Sequence, residues 1–317
     1  LCIFIKMCIY YNHSNIKEEC PMSFSIRQPM SFSIRQHELV KYDGQVLINY
    51  GDFHTHTTYS LHGMSSPSEM VEAAIESGLK YIALTDHHMV YKPNSDGQCD
   101  YFNAKNQIAR AYEINRSFAR LADQGLIKVI PGYEYNLYTT ENHECFVRDD
   151  TPHLRSIGYH TWYCNLAYQY MEEYIGEIEE RLATRKYTIF VHPERDIDML
   201  GKKFDNFDID DDINLDRLMT AIVKLCLKYG LIIECNNSSI MNPLNSKEKR
   251  ERNIKRMKTW IRKTQLYGVN IVVNSDAHVK YDVGNCYEAF KLLEEMGVSK
   301  KRIVNFDKDM IEELLVP

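Results

Sequence analysis

The chain has 317 residues, 44% of them hydrophobic, which is enough for one large core or two ordinary ones. Its formal charge of −6 offers no broad attraction to a phosphate backbone, so nucleic acid is not expected as a partner. The nine cysteines lack paired CxxC spacing and no apolar run approaches the roughly 18 to 20 residues that span a bilayer, so a reduced, cytoplasmic protein without a membrane segment is expected.

Residues 1–47 are expected to form a poorly ordered N-terminal tail. The apolar stretch from Leu1 to Tyr11 is broken by Lys6 and no small-residue cleavage site follows, which makes a poor signal peptide. The octapeptide PMSFSIRQ occurs twice in tandem, at 21–28 and 29–36, too little to build a solenoid. A start codon placed too far upstream, or a recent duplication, would account for these features and for an opening residue of Leu1 instead of Met.

From Val46 the pattern becomes regular, and 48–317 is expected to be one domain. A strand runs into Phe53 and His54-Thr55-His56; Ser66-Pro67-Ser68-Glu69 then opens a helix with a capping box, and Gly78 closes it. Tyr81 to Thr85 is a strand ending in Asp86-His87-His88. A helix is expected over about 101–121 and a strand from Lys128 to Ile130, leading to Glu134; Leu154 to Tyr159 delivers His160. A helix over about 167–185 precedes the strand Thr188 to Val191 and His192-Pro193. A helix over about 215–228 stops at Gly230 before the buried strand Leu231 to Glu234 and Asn236. The charged helix from Ser246 to Tyr267, ending at Gly268, leads to the strand Asn270 to Asn274 and then Asp276-Ala277-His278. A strand followed by a helix, about seven times, implies parallel strands with crossover helices, and polar residues gathered at strand ends imply a barrel with one catalytic face.

Nine acid and imidazole side chains recur at those strand ends: His54, His56, His62, His87, Glu134, His160, His192, Asp276 and His278. Imidazole and carboxylate without thiolate suit Zn, Mn or Fe, so the layout is that of a multi-metal hydrolytic site. HxH and DxH have strand period, which points both side chains of each pair the same way. Each motif alone also fits a plainer role, such as hydrogen-bonded histidines at a strand edge, an Asp86 cap or a surface Glu134; the joint pattern is far more specific. His87 is the ligand candidate of its pair, with Asp86 as its orienting partner, and His88 could replace it if the loop bends differently. Glu134 is placed to bridge two cations. Arg195 is a candidate for contacting substrate phosphate, or alternatively for an ion pair with Asp196 or Asp198; Asn236 would orient substrate or ligands. The basic run from Lys247 to Lys258 reads as a solvated helix face.

DFHTHTTYSLHG at 52–63, LTDHH at 84–88, PGYE at 131–134, VHP at 191–193 and NSDAH at 274–278 together resemble the polymerase-and-histidinol-phosphatase (PHP) family of metal-dependent phosphoesterases. IECNNSS at 233–239 looks most like the trinuclear-zinc phosphatase branch. The resemblance covers nearly everything beyond the tail. It implies an α/β fold, a distorted (β/α)7 TIM-like barrel, holding three divalent ions, Zn or Mn with Fe as an option. His54, His56, Glu134 and Asp276 would hold the first ion; His62, His87 and His278 the second; His160 and His192, with Glu134 bridging, the third. His143 or His153 could stand in for His160. The implied activity is hydrolysis of a small phosphorylated metabolite, a phosphate monoester, by metal-bound hydroxide. Histidinol phosphatase, a 5′–3′ exonuclease or phosphodiesterase on short nucleic acids, and a non-catalytic metal-bound regulatory module are the alternatives. Substrate, metal identity and oligomeric state are not legible in these residues.

Overall fold

The computed structural model describes residues 38–60, 63–88, 104–136, 154–158, 171–184, 186–195, 208 and 211–315. All of them belong to one compact unit, Arg35–Pro317. The duplicated octapeptide, His62, His143, His153 and His160 lie outside the described residues.

Strands β1 (Leu39–Tyr42) and β2 (Gln45–Ile48) pair antiparallel around Asp43-Gly44. Both turn residues have positive φ, 50° and 68°, the two-residue geometry whose twist matches that of the flanking strands. Residues 39–48 thus form a hairpin that straddles the boundary expected at residue 47, turning on the DG dipeptide between two short strands. Tyr42 fixes the hairpin to the rest of the molecule. Its buried hydroxyl donates to the Val298 carbonyl at 2.7 Å and its ring meets Phe306 edge-on at 5.5 Å. Tyr42→Phe leaves that carbonyl without its donor and should cost about 1 kcal/mol in urea unfolding, with no change in metal uptake.

Seven strands form one parallel sheet in sequence order: β3 (Gly51–Thr55), β4 (Tyr81–His88), β5 (Lys128–Asn136), β6 (Leu154–Gly158), β7 (Ile189–Phe190), β8 (Ile232–Asn236) and β9 (Ile271–Asn274). The sheet curls until its edges nearly meet. Closure is irregular: one parallel bridge joins Thr55 to Ala277, His56 N donates to the Ala277 carbonyl at 2.8 Å, and Phe53 N donates to the Asn274 side chain at 2.8 Å. This is the distorted (β/α)7 barrel expected from the alternation of elements.

Helix α1 (Pro67–Glu76) starts at the expected capping box, with Ser66 and Glu69 satisfying each other's backbone amides. Among the described residues, helices α2 (Ala104–Asp123), α3 (Met171–Thr184), α4 (Asp212–Tyr229) and α6 (Lys247–Tyr267) are further crossovers; a short helix α5 (Asn237–Met241) follows β8 directly. Gly230 and Gly268 end α4 and α6 in the left-handed conformation at φ 70° and 79°. Helix α6 is not the uniformly solvated element its charge suggests. Asn253, Arg256, Met257, Trp260, Ile261 and Thr264 recur at helical spacing along a buried stripe, so Arg256 is inside and only the remaining faces are wet.

The barrel interior is apolar at one end and polar at the other. Phe53, Ala83, Ile130, Leu154, Ile189, Val191 and Val272 cluster with Ile311 and Leu314 of helix α8 (Lys308–Leu314), which comes after α7 (Tyr287–Glu295). Glu312 of that helix accepts from the Tyr81 hydroxyl and the Lys128 ammonium, each at 2.9 Å, and these are the first residues of β4 and β5. Helix α8 thus covers the N-terminal strand ends. The polar residues are left at the C-terminal ends, where a barrel places its chemistry. Among the described residues no helix is long and apolar enough to cross a membrane.

Candidate metal centre

His54 and His56 are both fully buried, and the register of β3 against β4 shifts between Asp52 and Thr55, an irregularity that re-aims side chains beside a site. Their Nε2 atoms lie 3.0 Å apart. Glu134 Oε2 is 3.2 Å from His54 Nε2 and 3.3 Å from His56 Nε2; Asp276 Oδ1 is 3.6 Å and 3.2 Å from the same two atoms. A tetrahedral ion with bonds of about 2.0 to 2.1 Å separates its donors by about 3.3 Å. Five of the six separations among these four donors are therefore close to those of a coordination shell, and His54, His56 and Asp276 together can hold a divalent metal ion.

The tautomers agree with that use. His54 Nδ1 lies 2.7 Å from Glu234 Oε1, and His56 Nδ1 lies 3.1 Å from Ser60 Oγ, whose own hydroxyl donates to Asp86 at 2.7 Å. Each imidazole thus gives its Nδ1 proton to a buried acceptor and keeps the Nε2 lone pair for the shared point. Burial alone would push the His54 imidazole down, but Glu234, Glu134 and Asp276 carry it well above the ordinary histidine value. For His56 burial again lowers and Asp276 with Glu134 raises, with a net rise. Burial pushes the Asp276 carboxyl up, yet Arg195 and His54 hold it well below the carboxylate range. The pocket is built to hold positive charge, and protons and metal ions compete for the same lone pairs.

A second donor group adjoins the first. One ligand atom from each of His56, His87 and His278 falls within 4.8 Å of the others, and the His56 ring stacks on both of its neighbours at 4.3 Å. Glu134 joins the groups: Oε2 also reaches His87 Nδ1 at 2.9 Å, while Oε1 meets His192 Nε2 at 2.6 Å. Gly158 on β6 makes room for that pair, because a Cβ there would lie 2.9 Å from His192 Cε1 and 3.3 Å from Glu134 Oε1. His192 and Asp276 have positive φ, 31° and 55°, a costly backbone state for these residues that concentrates at functional sites.

Seven of the nine ligand candidates, His54, His56, His87, Glu134, His192, Asp276 and His278, are brought together; His62 and His160 fall outside the described residues. Arg195 also arrives here, paired with Asp276 Oδ2 and 28% exposed through its side chain. Asn236 is fully buried. Its amide nitrogen donates to Glu234 at 3.0 Å and Asp276 at 3.2 Å, and its oxygen caps α5 by accepting Ser239 N at 2.9 Å. Asp86, expected beside His87, spends its oxygens on Thr57 N, Thr57 Oγ1, Ser60 Oγ and Arg110, so it acts on His56 through Ser60. Sequence reasoning missed Glu234, Ser60 and Arg110. Glu234 did leave a trace, a lone charge inside the apolar run LIIEC; the others left none.

A barrel that collects imidazoles and carboxylates at its C-terminal strand ends, with donor spacing suited to divalent ions, is a metal-binding hydrolase architecture. The chain belongs to the PHP domain family, whose model matches residues 52–238. A probable phosphatase of Thermoanaerobacter sp. (strain X514) is 26% identical over 266 residues, 83% of this chain and 93% of that protein. A probable phosphatase of Acetivibrio thermocellus is 24% identical over 279 residues, covering 83% and 94%. The crystal structure of the histidinol phosphate phosphatase of Lactococcus lactis, complexed with zinc, L-histidinol and phosphate, shares the fold at a TM-score of 0.55 and 16% identity, covering 79% of this chain and 95% of that one.

Proposed function

We propose that this protein is a metal-dependent phosphoesterase that hydrolyses a small phosphate monoester. The observation that carries the reading is Glu134, whose two oxygens face separate imidazole groups at one strand end, as a carboxylate shared between cations must. His54, His56, Glu134 and Asp276 would hold one ion; His87 and His278, with His62, a second; His192 and Glu134, with His160, a third. The all-N/O donor set suits Zn, Mn or Fe. When bound, such ions bring the pKa of coordinated water toward neutrality and neutralise phosphoryl oxygens.

The chain's own groups supply the rest. Arg195 is partly exposed beside Asp276, and its planar guanidinium can take two phosphoryl oxygens at once. Asn236 keeps Asp276 turned toward the imidazoles. The described cysteines, Cys226, Cys235 and Cys286, are buried and burial pushes all three thiols up, so none of them serves as a nucleophile. Those free thiols also support a cytoplasmic setting. The names of the relatives support a phosphatase, and the zinc and phosphate of the Lactococcus enzyme support both the metal and the leaving product. Histidinol phosphate is one member of the substrate class; no described side chain here singles out its imidazole and amine.

The test compares p-nitrophenyl phosphate with bis(p-nitrophenyl) phosphate, with zinc or manganese, and with His54→Ala as control. Monoester turnover that disappears on chelation and in the variant supports the proposal. Turnover of the diester alone would replace it with a phosphodiesterase, and turnover of neither would leave a metal-bound module without catalysis.

A further inference from the structure

The buried carboxylate of Glu234 is saturated by N–H donors that come from four separate parts of the barrel's polar end. Oε1 faces His54 Nδ1 at 2.7 Å and Asn274 Nδ2 at 3.0 Å. Oε2 faces the His192 backbone N at 2.9 Å and Asn236 Nδ2 at 3.0 Å. A carboxylate has about four acceptor sites, and this one fills them with two N–H groups on each oxygen. Each donor controls something different. His54 carries a lone pair aimed at Glu134 and Asp276; the His192 amide belongs to a residue held at φ 31°; Asn236 also grips Asp276 Oδ2; Asn274 accepts from Phe53 N across the barrel closure.

We infer that Glu234 is the positioning residue of the metal centre, a carboxylate that ligates no ion itself but fixes the His54 tautomer and the strained His192 backbone together. Its location follows from both tasks. His54 lies on the first barrel strand and His192 just past the fifth, so no local contact could register one against the other; a charged acceptor on the sixth strand reaches both. The Nδ1 proton of His54 goes to Glu234 and cannot return to Nε2 without breaking this bond, so the lone pair stays where the other donors converge. The His192 N–H bond opposes relaxation out of the left-handed backbone state, which would swing the imidazole away from Glu134. Glutamine cannot copy this arrangement, because its NH2 group must face two N–H donors whichever way the amide is turned.

The inference rests on the metal-binding reading above, and the experiment separates the two. Zinc affinity and stoichiometry of the full chain are measured by competition with a chromophoric chelator, for wild type and Glu234→Gln, alongside circular dichroism. The variant should stay folded, keep the wild-type number of ions at saturation, and bind zinc about 10- to 100-fold more weakly. In the zinc-loaded wild type, long-range ¹H–¹⁵N imidazole spectra should show His54 protonated at Nδ1. That measurement stands even if the variant fails to fold. Unchanged affinity in a folded variant, loss of one whole equivalent of zinc, or a wild-type His54 protonated at Nε2 would each overturn the assignment. A wild type that takes up no divalent ion would overturn the proposed function and this inference with it.

Discussion

Glu134→Gln is expected to lower kcat/KM toward a phosphate monoester by at least about 10³-fold, roughly 4 kcal/mol of transition-state stabilisation, while the chain stays folded. Glu134 is the one carboxylate that touches every described donor group: His54, His56 and His87 through Oε2, His192 through Oε1. Glutamine keeps the shape and one acceptor oxygen, but it removes a negative charge from a pocket whose imidazoles have gathered around it, and turns an NH2 toward one of the two groups. Both effects weaken cation binding on that side, so the loss should persist in kcat at saturating substrate, and raising the metal concentration should restore only part of it. Metal content measured on the same samples should fall by at least one equivalent. A variant that keeps its ions and stays within about tenfold of wild-type turnover would show that Glu134 is not shared between cations, and the reading of the site as a multi-ion centre would fail.

The legible part of this site was the part written in short spacings. HxH and DxH carry their geometry in strand period, and the apolar runs before them say that the pair stands at a strand end; Glu134 was found because PGYE follows such a run. Helix α1 announced itself through capping chemistry at Ser66, and α4 and α6 through glycine stops at 230 and 268. What stayed hidden depends on contacts between residues far apart in the chain. Arg110 lies on a helix face that nothing local marks as buried, and it becomes meaningful only against Asp86, Leu84 and Gly132. Arg256 sits in a run of charges whose composition reads as solvent-facing; only the stripe of Met257, Trp260 and Ile261 beside it tells otherwise. The hairpin at 39–48 was lost for a different reason. Four-residue strands carry too little alternation to stand out beside a tail, although Asp43-Gly44 marked the turn.

Arg110→Met should destabilise the fold by about 3 to 5 kcal/mol in urea unfolding, because it removes one partner of a buried ion pair and strands the other. Arg110 is 4% exposed, and its guanidinium lies between the rings of Tyr59 and Tyr133 at 5.3 and 5.4 Å. It pairs with Asp86, itself 2% exposed, and donates to the Leu84 carbonyl at 3.2 Å. Burial pushes the Asp86 carboxyl up, but Arg110, helped by His56, Ser60 and Thr57, holds it below the ordinary aspartate value. A carboxylate with a lowered folded-state pKa contributes stability above its unfolded value, about 3.9, and loses it as pH falls through the folded value. The gap between wild type and variant should therefore be widest at neutral pH and shrink in acid. Asp86→Asn combined with Arg110→Met should cost less than the sum of the single changes, since no buried charge is then left alone. Additive costs would mean that the pair does not interact. The effect should also reach the metal centre, because Asp86 orders Ser60 and Ser60 takes the Nδ1 proton of His56. Weakened zinc binding in the single variant is thus expected even under conditions where most molecules remain folded.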